Sequence, residues 1–254
     1  MLDEIVEATR ARVAGLDLAG LRSRAEGVAP SLSLADALSV PGMSVIAEVK
    51  RRSPSRGELS AGLDPARQSG AYQQGGAAAI SVLTEPQFFD GSLDDLKAVK
   101  AAVSIPVLRK DFIIEPAQIW ESKLAGADAI LLIVAALGDS QLEELIGEAG
   151  QAGLDALVEV HTAPEAGRAM ASGATIVGVN NRDLGSFEID LATAEALADL
   201  ISDAPVRIAE SGIFNAEHSA RMAAAGYQAV LVGEALVRAA EPAALVAELK
   251  GAGI

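Results

Sequence analysis

Eight short apolar runs recur along this chain, and each gives way to a segment with helical spacing. The runs are Val45–Lys50, Ala78–Thr84, Val107–Phe112, Ala129–Val134, Ala156–Val160, Ile176–Asn180, Val206–Glu210 and Ala229–Val232. Helical spacing shows in Leu93, Leu96, Val99 and Lys100, in Leu142, Leu145 and Ile146, and in Ala194, Leu197, Ala198 and Ile201. Runs that stay apolar at nearly every position fit strands covered on both faces. Their alternation with helices points to a parallel sheet. Glycines such as Gly126, Gly153, Gly173 and Gly226 stand where helices should end before the next strand. Asp64-Pro65 fits an N-cap followed by proline in the first turn. Eight such units in 254 residues predict an α/β fold, a (β/α)8 TIM barrel. A doubly wound sheet is the competing architecture; it needs no closure and usually has fewer strands.

No composition shift or linker divides the series, so residues 1–254 read as one barrel domain with strands from about position 45. Residues 1–44 lie outside the repeat. Leu2, Ile5, Val6, Thr9 and Val13 share one helical face, and Ser33 to Asp36 resembles a capping box with Asp in place of Glu. This stretch is an N-terminal helical extension packed on the barrel, or else a simple cap.

The net charge of −15 argues against nucleic acid or an anionic membrane as partner. An anionic substrate would need a local positive site. There is no cysteine, hence no disulfide, thiolate metal site or cysteine nucleophile. Met1-Leu2-Asp3-Glu4 lacks a basic leader. The longest apolar run, Ala129 to Leu137, is far short of the roughly 20 residues of a membrane span. A cytoplasmic monomer acting on a small molecule is expected, with an oligomer left open.

In such a barrel the active site gathers at the C-terminal ends of the strands. Those ends carry Glu48 and Lys50, Arg109-Lys110-Asp111, Glu159, Asn180-Asn181-Arg182, Glu210-Ser211-Gly212 and Gly233. Side chains alternate along a strand. If Ile46, Leu108, Leu157, Gly178 and Ile208 face inward, so do Glu48, Lys50, Lys110, Glu159, Asn180 and Glu210. Inward charges at the end of an apolar strand are costly unless a site uses them. For any one residue a place in the following loop is about as good a reading; for six together it is poor. Arg109 and Asp111 take the other parity and are assigned structural roles.

Ser211-Gly212 and Gly233-Glu234 follow the last two strands, where barrels commonly bind phosphate through backbone N–H groups. Lys50 and Ser53 would add a cation and a hydroxyl. Glu234 is a difficulty, since its carboxylate would have to point away. His161, two residues past Glu159, could enter the site but fits a satisfied loop histidine better; His218 reads as a surface residue and Trp120 as helix packing. Lys50-Arg51-Arg52 is too short, in so acidic a chain, to read as a nucleic-acid patch.

The segments Glu48-Val49-Lys50-Arg51-Arg52-Ser53-Pro54-Ser55, Leu108-Arg109-Lys110-Asp111-Phe112-Ile113 and Gly178-Val179-Asn180-Asn181-Arg182-Asp183-Leu184 resemble signatures of the indole-3-glycerol-phosphate synthase family. Glu210-Ser211-Gly212-Ile213 and Val232-Gly233-Glu234 complete the resemblance. It runs from the N-terminal extension to the last strand. Arg56 stands where lysine or another residue occurs, and the residue after Gly233 varies.

The resemblance implies a decarboxylating lyase of tryptophan biosynthesis. It would convert 1-(2-carboxyphenylamino)-1-deoxyribulose 5-phosphate to indole-3-glycerol phosphate by ring closure, loss of carbon dioxide and loss of water. Lys110 would be the acid at the ribulose ketone and Glu159 the acid or base of dehydration. Glu48 and Asn180 would orient the lysines and substrate, and Glu210 and Ser211 would contact the sugar. Lys50, Ser53, Gly212 and Gly233 would hold the phosphate, with Arg182 or Lys50 on the substrate carboxylate. Phe89, Phe112, Leu131, Leu184 and Leu231 would form a slot for the aromatic ring, though Leu131 and Leu231 fit an ordinary core nearly as well. Neither metal nor organic cofactor is implied. The loop from Arg51 to Leu63 is a plausible lid. The rivals are another phosphosugar barrel such as phosphoribosylanthranilate isomerase, which would want a cysteine or aspartate acid–base pair where this chain has no cysteine, and a non-catalytic phospholigand-binding subunit.

Overall fold

The computed structural model describes residues 1–54, 57–60 and 62–251. Ser55 and Arg56 of the first motif lie outside the described residues, as does part of the loop assigned as a lid. The apolar runs form strands β1 (Ser44–Val49), β2 (Ala79–Leu83), β3 (Val107–Lys110) and β4 (Ala129–Ile133). β5 (Asp155–Val160), β6 (Ile176–Asn180), β7 (Val206–Glu210) and β8 (Ala229–Val232) follow. Each pairs in parallel with the next, and β8 pairs with β1. Closure removes the doubly wound alternative.

β3 ends two residues before the apolar run does. The Asp111 carboxylate accepts the Phe112 N–H at 2.8 Å and turns the chain out of the sheet. The loop after β1 carries a short antiparallel pairing of Arg52–Ser53 with Gly57–Glu58 that the sequence did not announce.

Strand alternation divides the core into two shells. Ile46, Leu108, Leu131, Leu157, Ile176, Ile208 and Leu231 fill the barrel. Val45, Ala47, Ile80, Ile130, Val158, Val177 and Val230 pack outward against the helices. Helix ends obey local chemistry. Asp64 accepts the N–H groups of Ala66 and Arg67 at 3.0 and 3.1 Å. Gly126 closes the helix Pro116–Ala125 at φ +91°, a conformation costly for any side chain.

The N-terminal segment both packs and caps. Helix α1 (Leu2–Val13) lies at the C-terminal mouth, where Arg12 grips Asp111 through both oxygens at 2.8 and 3.2 Å. Helix α2 (Leu18–Ala25) packs on Pro116–Ala125. There Arg22 sits over the Trp120 ring, and both residues bond Glu148. Helix α3 (Leu34–Leu38) plugs the opposite end with the fully buried Leu34 and Leu38. Asp155 at the start of β5 anchors it, accepting from Ser33 Oγ (3.2 Å) and the Ala35 N–H (3.0 Å). A cavity lies at the other end, among the strands' C-terminal ends. No helix among the described residues is long and apolar enough to cross a membrane.

Candidate active site

All the predicted residues line the cavity at the strands' C-terminal ends: Glu48, Lys50, Ser53, Lys110, Glu159, Asn180, Arg182, Glu210, Ser211, Gly212 and Gly233, with the apolar Phe89, Phe112, Leu131, Leu184 and Leu231. Its centre is the Lys110 ammonium, which donates to Glu159 Oε2 at 2.5 Å and to Glu210 Oε2 at 2.6 Å. Asn180 Nδ2 donates to Glu159 Oε1 at 3.2 Å. The register explains the convergence. Asn180 stands beside Glu210, and Glu159 beside Gly178. Gly178 leaves the space that Glu210 Oε1 occupies; a Cβ there would collide with that oxygen.

Burial discourages the Lys110 charge, but Glu159, Glu210 and Glu48 outweigh it and raise its pKa. Crowding by Lys50 would have lowered it; Lys50 instead donates to Glu48 Oε1 at 2.6 Å. The two central carboxyls diverge. Burial opposes ionisation of Glu159, yet Lys110 and His161 hold it below the usual carboxylate range. Burial and the neighbouring Glu159 charge push Glu210 upward against the pull of Lys110. Two acids around one lysine cannot both ionise cheaply, and divergent pKa values mark acid–base work. Glu210 Oε1 is buried without a hydrogen-bond partner.

The side of the cavity carrying Ser211, Gly212 and Gly233 has a different construction. Ser211 and Gly212 take left-handed backbone angles, φ +63° and +80°. For serine this costs on the order of 1 kcal/mol, and Asn181 holds it there. Asn181 Nδ2 donates to the Ser211 carbonyl at 3.2 Å, while its Oδ1 accepts the Ala194 N–H at 2.9 Å. A Cβ on Gly233 would stand 2.5 Å from Glu48 Oε1 and 3.1 Å from Lys50 Nζ. Glu234 edges the cavity and reaches Arg238 along its own helix at 3.4 Å.

Phe89 and Phe112 stack at a tilt, with ring centroids 6.2 Å apart. Leu131 and Leu231 belong to the inner core and also face the cavity. Arg182 is braced by the Phe187 carbonyl at 3.3 Å. Arg109 has no exposed surface and bonds Thr84, Gln118, Glu121, Ser122 and Asp111, the structural role its parity implied.

Sequence reading missed part of the wall. Met1, with Leu2 and Ile5 of α1, Phe187 and Phe214, adds to the apolar side. Leu2 and Ile5 were visible as a helical face, but nothing local says what that face covers. His161 lies at Glu159, with Nε2 3.4 Å from Oε1.

A family model described as "Indole-3-glycerol phosphate synthase" matches residues 2–249. A protein of that name from Mycolicibacterium smegmatis is 50% identical over 257 residues, covering 100% of this chain and 94% of the relative. One from Mycobacterium avium is 49% identical with the same coverage. Among solved structures, a 3-hexulose-6-phosphate synthase superposes with a TM-score of 0.68 at 18% identity, covering 84% of this chain and 100% of the other. A thiamine phosphate pyrophosphorylase from Pyrococcus furiosus superposes at 0.62 and 16% identity, covering 87% and 97%. At those identities the likeness speaks for the barrel alone.

Proposed function

The chain belongs to the indole-3-glycerol phosphate synthase family, decarboxylating lyases of tryptophan biosynthesis that act on a small phosphosugar substrate, and from that premise we propose which side chains carry each step. The carrying observation is Lys110, buried and charged between Glu159 and Glu210.

The substrate's ortho amine makes the carboxylate-bearing ring carbon nucleophilic. Lys110 gives a proton to the ketone oxygen as that carbon attacks. Loss of carbon dioxide then restores aromaticity without help from the protein. Dehydration needs one proton on the leaving hydroxyl and another removed from the carbon beside the amine. Glu159, kept ionised at rest, enters as the base. Glu210, kept from ionising, supports a role as the proton store that reloads Lys110. A positioned acid or base of this kind is typically worth about 10²–10⁴ in rate.

Glu48 and Asn180 orient Lys50, Glu159 and the substrate. Lys50, Ser53, Gly212 and Gly233 take the phosphate, Ser211 the sugar, and Arg182 the carboxylate. Phe89, Phe112, Leu131, Leu184 and Leu231 take the ring. The same reading puts the protein in the cytoplasm as a monomer, with neither nucleic acid nor membrane as partner; the charge of −15 supports it. Purified protein is given the carboxyphenylamino-deoxyribulose phosphate while indole fluorescence and carbon dioxide are followed. Turnover abolished by Lys110→Met supports the assignment; turnover indifferent to it overturns it.

A further inference from the structure

Glu159 is held through both oxygens. Lys110 takes Oε2, and Asn180 and His161 face Oε1. The His161 side chain is only 7% exposed, and its Nε2 is buried without a hydrogen-bond partner, 3.4 Å from Oε1. Its other nitrogen, Nδ1, lies 3.3 Å from Glu165 Oε2. That same oxygen accepts the His161 backbone N–H at 2.8 Å. Glu165 is itself fixed at the start of the helix Ala163–Ala171. Thr162 Oγ1 donates to Glu165 Oε1 at 3.1 Å and accepts the Glu165 N–H at 3.4 Å. A continuous row therefore runs from the partly exposed Glu165 through His161, Glu159 and Lys110 to Glu210.

An imidazolium offers N–H groups to both flanking carboxylates, whereas a neutral ring offers only one. Burial works against the charge. The Glu165 hydrogen bond and the charges of Glu159, Glu165 and Glu210 outweigh it, and His161 is shifted above the ordinary histidine value. Asp183, in the loop after β6, also feels this charge; Lys110, beyond Glu159, is the opposing cation.

We propose that His161 is a positioning residue that keeps Glu159 ionised and aimed while Lys110 is engaged with substrate, and that Glu165 is its outer anchor. This rests on the reading of Glu159 as a base. When Lys110 gives up its proton, Glu159 loses its nearest cation. A lone buried carboxylate would then become protonated. His161 supplies a second positive charge that the chemistry does not consume.

The chain contains two histidines, His161 and His218, so imidazole NMR resolves the titration directly, with His161→Asn assigning the signals. The His161 signal should titrate above about 6.5 and fall by about half a unit or more in Glu165→Gln. In His161→Asn, the acidic limb of the kcat profile should move up by about one unit, so that kcat on that limb is about tenfold lower, with KM within about twofold. Glu165→Gln should move the same limb less, and His161→Lys should restore part of it. A His161 signal at or below 6.5, or an unmoved limb, overturns the proposal. Glu165→Gln sits at the rim and keeps the test open if His161→Asn does not fold. Full kcat in Glu159→Gln would overturn the underlying base assignment and this proposal with it. The titration needs no turnover, so it separates that failure from failure of the His161 contact.

Discussion

Lys110 Nζ stands 2.5 Å from Glu159 Oε2 although β4 lies between their strands. β4 permits the approach because its inward side chains near the mouth, Leu131 and Ile133, are apolar and leave the polar centre to its neighbours. On the proposed roles, the acid of ring closure is thus hydrogen-bonded to the base of dehydration. The two steps share one site without moving the substrate between residues.

Lys110→Met should lower kcat by at least about 10²-fold, the lower end of what a positioned acid contributes. Substrate affinity should change far less, because the phosphate and ring contacts come from other residues. Steady-state indole fluorescence together with equilibrium binding separates the two. A near-normal kcat would remove Lys110 from the acid role.

Glu159→Gln should stall the reaction after carbon dioxide is lost. Quenched single turnovers followed by mass spectrometry should show the ring-closed, decarboxylated but still hydrated species building up. Product forming at the normal rate without that species would sink the assignment.

The inward charges were legible because period-two alternation carries from an apolar residue to its charged neighbour. Ile46 points to Glu48, Leu108 to Lys110, and Ile208 to Glu210. Closure followed from the number of apolar runs. His161 was harder. It lies beyond β5, where alternation ends, and its value depends on Glu165 reaching back from the next helix. The α1 wall was hidden for a related reason. Leu2 and Ile5 advertise a buried face, but the contact that seats α1, Arg12 with Asp111, spans almost a hundred residues.

Gly178→Ala and Gly233→Ala should separate chemistry from binding. The first new methyl group would displace Glu210 and press on Leu157 Cδ1 at 3.0 Å. The second would press on Glu48 and Lys50. Overpacking of this kind costs about 1–3 kcal/mol. Gly178→Ala should act mainly on kcat, and Gly233→Ala mainly on KM. Steady-state kinetics of the two variants checks this. Equal effects on both parameters in both variants would contradict the division.

Arg12→Met should loosen α1 from the barrel mouth. The Asp111 carboxylate keeps Arg109, so the loss should be about 1–2 kcal/mol, below the usual figure for breaking a buried pair. KM should rise as well, because Met1, Leu2 and Ile5 line the cavity. Denaturant titration alongside kinetics tests both. Unchanged stability would show that α1 is held by packing alone.

Glu210→Gln should make the fold less sensitive to alkali while lowering activity. Burial raises the Glu210 pKa in the folded protein. Below about pH 4.3 the group is protonated whether the chain is folded or not. Above that, the unfolded chain releases the proton and the folded protein retains it. Stability therefore falls with rising pH until the folded group also ionises. Glutamine removes this slope, so the variant should gain on the parent as pH rises above 5, by up to about 1.4 kcal/mol for each pH unit over which the folded group keeps its proton. Glu159→Gln should lack that gain. The folded Glu159 pKa is depressed, so its contribution is present above the ordinary carboxylate value and disappears as pH falls through the folded one. Denaturant midpoints across that range decide the matter. Parallel curves for Glu210→Gln and the parent would mean that Glu210 ionises like an ordinary carboxyl and stores no proton for Lys110.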